Sequence, residues 1–174
     1  MENFQSALFS PLQIREIRLK NRIVISPMCM YSSKDGFANN WHLVHIGSRA
    51  VGGAGLILME ATAVSPEGRI TPDDLGIWNP QHIKELKNIT AFTEQQGAVP
   101  GIQLAHAGRK ASTTSPWKGG EVLSPGNGGW DTVAPSAIAF HQDQVKPVAL
   151  DQSGIKKVIS DFRIAAERAI EAGF

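Results

Sequence analysis

The sequence predicts an α/β protein built on a parallel sheet with helices outside it. Three observations carry that prediction. Short apolar runs alternate along the chain with stretches whose apolar residues recur every three or four positions. The runs lack the polar alternation of a surface strand, as strands covered on both faces do. The helical stretches are bracketed by cap residues and glycines. Repeated units of this kind make the strands parallel.

Residues 12–19 come first. Leu12, Ile14, Ile17 and Leu19 alternate with polar residues and the pattern breaks at Arg15-Glu16, which predicts a short hairpin closing one end of the barrel these units would build. Residues 23–25 are β-branched or apolar and are followed by Pro27, a first buried strand. Residues 39–51 place Leu43, Ile46 and Ala50 on one helix face, and Gly52-Gly53 stop it. Residues 56–59 form a second strand. Asn79-Pro80 pairs a cap residue with proline at the first helical position, opening a helix that carries Ile83, Leu86, Ile89 and Phe92 and ends at Gly97. Residues 99–104 form a third strand. Residues 107–150, rich in Gly, Pro, Ser and Thr and holding Trp117 and Trp130, form a long loop. A loop of that length is functional or disordered. A last helix runs from near Asp151 to Gly173. Residues 1–174 thus read as a single partial domain of three β-α units preceded by a hairpin. Three units cannot close an eight-stranded barrel, which takes ~250 residues.

Composition narrows the function classes. With 17 basic and 16 acidic residues the formal charge is +1, which predicts no nucleic-acid partner. No apolar stretch is long enough for a bilayer, so no membrane partner is expected. The N-terminal MENFQSALFS lacks a basic region followed by an apolar run, so no signal peptide is expected. Cys29 is the only cysteine, which excludes an intrachain disulfide and fits a cytoplasmic location. Cys/His metal spacing, a dinucleotide-binding G-x-G-x-x-G, a P-loop and a G-x-S-x-G elbow are all missing.

The chemistry-bearing residues gather at the three strand ends, where α/β proteins place their sites. The first end reads Ser26-Pro27-Met28-Cys29-Met30-Tyr31. If the chain stays extended past Pro27, Cys29 and Tyr31 share one wall, because side chains alternate with period two. From residue type alone, a buried thiol acting as a small hydrophobe is the better reading. The second end, Glu60-Ala61-Thr62-Ala63, is small enough for a flat ligand to approach, or for tight packing. The third carries Gln103, whose amide offers a donor and an acceptor to a ring edge, or to the core. His106 sits at a strand end and can orient the loop; Arg109 and Lys110 can attract an anion or stay solvated. His42 and His45 read as packing or surface residues, and His82 and His141 as incidental.

The run LKNRIVISPMCMYSS resembles the old yellow enzyme family, and more narrowly its bacterial xenobiotic-reductase and thermophilic-like class. The resemblance continues through GGAGLILMEATAVSPEGRIT, DLGIWN, GIQLAHAGRKAS and APSAIAF, in order and over nearly the whole chain. Residues 113–130 look like a longer, variable form of the loop. The resemblance implies the N-terminal part of a (β/α)8 TIM barrel that holds FMN non-covalently at the C-terminal mouth of its strands. The implied FMN contacts are Ser26, Pro27, Met28, Cys29, Ala61 and Gln103. The implied catalytic residues are Cys29, tuning the flavin without acting as a covalent nucleophile, and Tyr31, bonding the substrate carbonyl. NAD(P)H would reduce the flavin, which would pass hydride to the activated C=C of an enone. The family's paired His (or His/Asn) anchors, a nearby Tyr, a flavin-contacting Arg and the phosphate site would lie beyond Phe174. Residues 1–174 alone are therefore expected to bind FMN weakly, if at all.

Two further readings stand beside this one. The first is a non-catalytic half-barrel module that self-associates through open sheet edges. A homo-oligomer, or the missing C-terminal half of the barrel, would then be the partner. The second is a barrel lyase or aldolase, with Lys110 as the nearest Schiff-base candidate.

Overall fold

The computed structural model describes residues 6–142 and 144–174. The signal-peptide reading falls partly on residues 1–5, outside the described residues. Strands β1 (Leu12–Ile14) and β2 (Ile17–Leu19) form the antiparallel hairpin, with Leu12 opposite Leu19. Arg15, at its turn, has φ 51. Just past β2, Lys20 Nζ donates to Gln96 O at 2.8 Å and Asn21 Nδ2 to Gly53 O at 2.7 Å. Both carbonyls lie just ahead of strands, so the hairpin covers the N-terminal end of the sheet.

The sheet proper is β3 (Val24–Ile25), β4 (Leu56–Ala63) and β5 (Val99–Ala105), parallel and in chain order. Helix α1 (Asn40–Val51) connects β3 to β4, and α2 (Ile83–Gln95) connects β4 to β5. Each helix start has a physical cause. The Asn39 side chain accepts from Trp41 N at 2.9 Å, and the His42 ring accepts from Asn39 N at 3.1 Å, forming a capping box. Asn79 accepts from Gln81 N and opens a 3-10 turn, Pro80–His82, that leads into α2. The helix predicted from Asn79-Pro80 thus starts as a tighter turn. Helix α3 (Gln152–Glu171) is capped by Asp151, which accepts from Gly154 N at 2.8 Å.

One face of the sheet packs on the helices. Ile57 and Met59 of β4 meet Ile46 and Ala50 of α1, Leu86 and Ile89 of α2, and Ala165 and Ala169 of α3 in one buried core. Gly47 permits close approach of α1 and α2: a Cβ there would stand 2.8 Å from the Phe92 ring. The other face is open. Val24 is 47 % exposed, so the expectation of strands covered on both faces holds only on the helix side.

The long segment 107–150 is built rather than featureless. It contains 3-10 turns at Gly108–Lys110, Pro116–Lys118 and Pro125–Asn127, and a two-stranded parallel patch of β6 (Val133–Ala134) and β7 (Val148–Ala149). Arg69 lies between Trp78 and Trp130, 5.3 and 4.7 Å from the two ring centroids. Trp130 Nε1 donates to Glu67 O at 3.0 Å. These contacts clamp the segment onto the β4–α2 loop.

Candidate functional site

The C-terminal ends of β3, β4 and β5 converge, and the residues singled out in the sequence come together there. Strand β3 stops at Ile25, and residues 26–33 continue without pairing in a ladder. Along them Ser26 and Met28 are exposed, while Pro27 and Cys29 are half-buried. The alternation therefore survives to Cys29 but not to Tyr31, whose φ is 46. The expectation of an extended chain through Tyr31 is corrected: a left-handed residue ends it. The two side chains still meet, because the thiol and the phenol lie within interaction reach of each other.

Three anchors hold this segment. Met30 N donates to Glu60 Oε2 at 2.8 Å. Ser33 N donates to Asp73 O at 2.9 Å. Gly36 (φ 80) tucks beneath Trp78, where a Cβ would stand 2.4 Å from the ring. Next to it, Asp35 O accepts from His82 Nε2 at 3.1 Å. His82 is not incidental to the fold: it is 1 % exposed and packs edge-on to Phe37 and Trp78.

Strand β4 reaches the site through a bulge. Met59 faces Ile102 and Ala61 faces Gln103, so Glu60 is an extra residue in the register. A bulge leaves the extra residue unpaired and re-aims its side chain. Met59 joins the helix-side core and Glu60 turns toward His42 of α1, so two consecutive side chains go to the same side. Ala61 is then returned to the open face, opposite Gln103. Gln103 is exposed, and its amide makes no hydrogen bond among the described residues. Ala61 and Gln103 thus present a small side chain and a free amide side by side, with Met28 exposed on the segment that continues β3.

Electrostatics favour protonated groups here. Burial pushes the Cys29 thiol up, helped by the negative charges of Glu60 and Asp74. The Tyr31 phenol is pushed up to about 12, chiefly by burial and then by Cys29 and Asp74. Tyr31 is therefore a hydrogen-bond donor across the ordinary pH range. The Trp117 ring packs edge-on against Tyr31 with centroids 5.3 Å apart, bringing the long loop to the site's rim.

Sequence reasoning missed Glu60, His42 and Trp117 as site neighbours. A lone Glu inside the apolar run LILMEATA was the available signal, since a buried charge needs partners. His42 is completely buried behind Glu60, so of the packing and surface readings the structure keeps packing. Arg109 and Lys110 instead line a separate cavity of about 600 Å³ within the loop, shared with Phe140 and Trp130. Lys110 Nζ lies 4.4 Å over the Phe140 ring, away from the mouth, which removes the support for a Schiff-base role. His106 Nδ1 accepts from Gly108 N at 3.1 Å, orienting the loop as expected. Among the described residues no group of His, Cys, Asp and Glu is arranged to hold a metal. No helix there is long and apolar enough to cross a membrane.

Known proteins are similar in sequence and fold. The chain is 50 % identical over 171 residues to an NADPH dehydrogenase of Listeria monocytogenes, matching 97 % of this chain and 46 % of that protein. It is 47 % identical over 169 residues to the NADPH dehydrogenase of Bacillus subtilis, again matching 46 % of the relative. The chain thus spans about half the length of these curated relatives. Among solved structures, morphinone reductase superposes with a TM-score of 0.79 at 30 % identity, covering 97 % of this chain and 46 % of that one. An old yellow enzyme from Pichia gives 0.81 at 26 % identity, covering 97 % and 44 %. The fold is the N-terminal part of a TIM barrel, with β3, β4 and β5 as its first three strands. A profile of the NADH:flavin oxidoreductase / NADH oxidase family matches residues 7–174, and the chain belongs to that family.

Proposed function

We propose that the protein carrying this chain is an FMN-dependent NAD(P)H oxidoreductase that reduces the activated C=C of α,β-unsaturated carbonyl compounds. The observation that carries the reading is the open Ala61–Gln103 pair. A free primary amide beside a methyl side chain fits the edge of a flat ring that displays both a donor and an acceptor. A morphinone reductase structure holding tetrahydroNAD, which superposes on this chain with a TM-score of 0.80, supports a nicotinamide reductant.

FMN held there would supply the hydride chemistry that links nicotinamide to substrate. The chain's own residues bind and orient. Gln103 would pair with the pyrimidine edge of the ring. Ser26, Pro27, Met28 and Ala61 would lie against the ring, with Cys29 beside it. Cys29, held as a neutral thiol, is a weak hydrogen-bonding group rather than a nucleophile. Tyr31 keeps its proton and would donate it as a hydrogen bond to the substrate carbonyl, where negative charge develops. A donor fixed in advance needs no reorganisation as the charge appears.

The exposed Val24 edge and the apolar residues Val44, Val51, Ile159 and Ile170 would be covered by the remainder of the barrel. The same faces suit a second copy of the chain, as a self-associating module would require. The test is reconstitution of the protein with FMN, followed by visible absorption and NADPH consumption with and without a cyclic enone. The expected result is a flavin band and enone-dependent consumption. Gln103→Leu should weaken FMN binding about tenfold or more, the loss of ring hydrogen bonds. Colourless oligomers would overturn the enzyme reading in favour of the module. A cytoplasmic location fits the lone thiol and is part of the same proposal.

A further inference from the structure

We propose that Glu60, backed by His42, is the positioning residue that fixes where the Cys29 segment stands against the flavin. The inference rests on the flavin reading above. Its basis is a buried polar cluster outside the ring-facing set. Glu60 is 2 % exposed, His42 0 % and Ser33 7 %. A carboxylate at that depth sits opposite a helix histidine only because the β4 bulge turns it there.

The donor and acceptor pattern suits a side chain that presents two oxygens. His42 Nδ1 lies 3.1 Å from Asn39 N and 3.2 Å from Asn39 Oδ1, which already accepts from Trp41 N; with Nδ1 accepting from the backbone N–H, the neutral ring carries its proton on Nε2. Nε2 stands 3.3 Å from Ser33 Oγ and 3.3 Å from Glu60 Oε1. The Glu60 oxygen is off the line of the N–H and makes no aligned hydrogen bond. Glu60 Oε2 accepts from Met30 N at 2.8 Å. Both neighbours of the carboxylate are therefore donors. A glutamine amide can accept from one of them and must turn its NH2 toward the other. Glutamate presents an oxygen to each, although only the Met30 N–H forms a hydrogen bond with it.

The consequence runs through the backbone. Met30 follows Cys29 directly, and its N–H ties the segment to the β4 bulge, next to the contact of Cys29 with the Ala61 amide. Moving that amide moves Sγ. The groups facing Cys29 are Glu60 from β4, Asp74 from the β4–α2 loop, the Ala61 amide, and Tyr31 from its own segment.

The experiment follows iodoacetamide alkylation of Cys29 against pH, by peptide mass spectrometry, in the FMN-free protein and across an FMN titration. Folding of each variant is checked by circular dichroism. Burial holds the Cys29 thiol up and Glu60 adds to it, so Glu60→Gln should lower the alkylation midpoint. It should also raise the FMN concentration for half-protection about tenfold, because the segment is misplaced. His42 is not among the groups that raise the thiol, so His42→Gln should move the midpoint less than Glu60→Gln and still raise the half-protection concentration. That split separates position from charge, and His42→Gln decides the matter if Glu60→Gln does not fold. Half-protection within twofold of wild type would overturn the proposal while leaving the flavin reading intact. Wild-type Cys29 left unprotected by saturating FMN would overturn the flavin reading itself.

Discussion

Trp130→Ala should free the long loop without unfolding the domain. In the structure Trp130 gives three things: a ring under the Arg69 guanidinium at 4.7 Å, an indole N–H bonded to Glu67 O at 3.0 Å, and half-buried apolar surface. The cation–π contact and the part-buried hydrogen bond contribute about 1 kcal/mol each, and the apolar surface a similar amount. The loop's local opening free energy should fall by about 3 kcal/mol, roughly a 150-fold increase in opening. Amide hydrogen exchange reads this directly. The reporters are Leu123 N, bonded to Ser112 O at 2.7 Å, and Thr114 N, bonded to Glu121 O at 2.8 Å. Trp130→Phe keeps a ring and loses the N–H, so it should show only about a tenfold effect. Protection at Leu123 and Thr114 within twofold of wild type in Trp130→Ala would refute the clamp. Equal loss in both variants would assign the whole effect to the hydrogen bond. Because Trp117 sits in the same loop, its contact with Tyr31 should loosen in parallel.

Other perturbations test other parts. Leu86→Ala, at a fully buried α2 position, should cost about 3 kcal/mol in denaturant unfolding, and a loss under 1 kcal/mol would misplace the core. Tyr31→Phe should lower kcat for enone reduction about 10²–10³-fold with FMN binding unchanged, and activity within threefold of wild type would remove Tyr31 from catalysis. With the phenol near 12, the wild-type rate should show no tyrosine ionisation between pH 7 and 10. Burial lowers His45, His82 and His106 below the ordinary histidine value. The unfolded chain then takes up protons first as pH falls, so their contribution is full above about 6.5 and is lost through the lower folded values. Tm should drop between pH 7.5 and 5.5, and less so in His106→Asn, whose amide oxygen can replace Nδ1; a Tm that rises on acidification would contradict this.

The helices and the three parallel strands were legible because their signals are local. Leu43, Ile46 and Ala50, or Ile83, Leu86 and Ile89, show a period that only a helix satisfies. Asn39, Asn79 and Asp151 mark helix starts that the structure keeps. The site was legible in part. Cys29, Tyr31, Ala61 and Gln103 do converge on one mouth. What escaped depends on register and on distant partners. Nothing in Met59-Glu60-Ala61 announces a bulge, since neither glycine nor proline is present. Strict alternation from Leu58 would send Glu60 to the open face and Ala61 to the core. The pattern leaves His42 open between packing and surface, because its partner Glu60 lies on another element. The β6–β7 patch pairs two dipeptides of two residues each, too short for any periodic signal.

The bulge also says what kind of edit β4 tolerates. Removing Glu60 would splice Met59 to Ala61 and match them to Ile102 and Gln103 as ordinary neighbours. Every other side chain would keep its side of the sheet. The strand is therefore a complete ladder with one supernumerary link, and that link is its only carboxylate. By geometry alone the shorter strand is the more regular one. A sequence that retains the interruption gives up pairing for a side chain it can deliver nowhere else, and a single-codon deletion at this point would separate what the sheet needs from what the mouth needs.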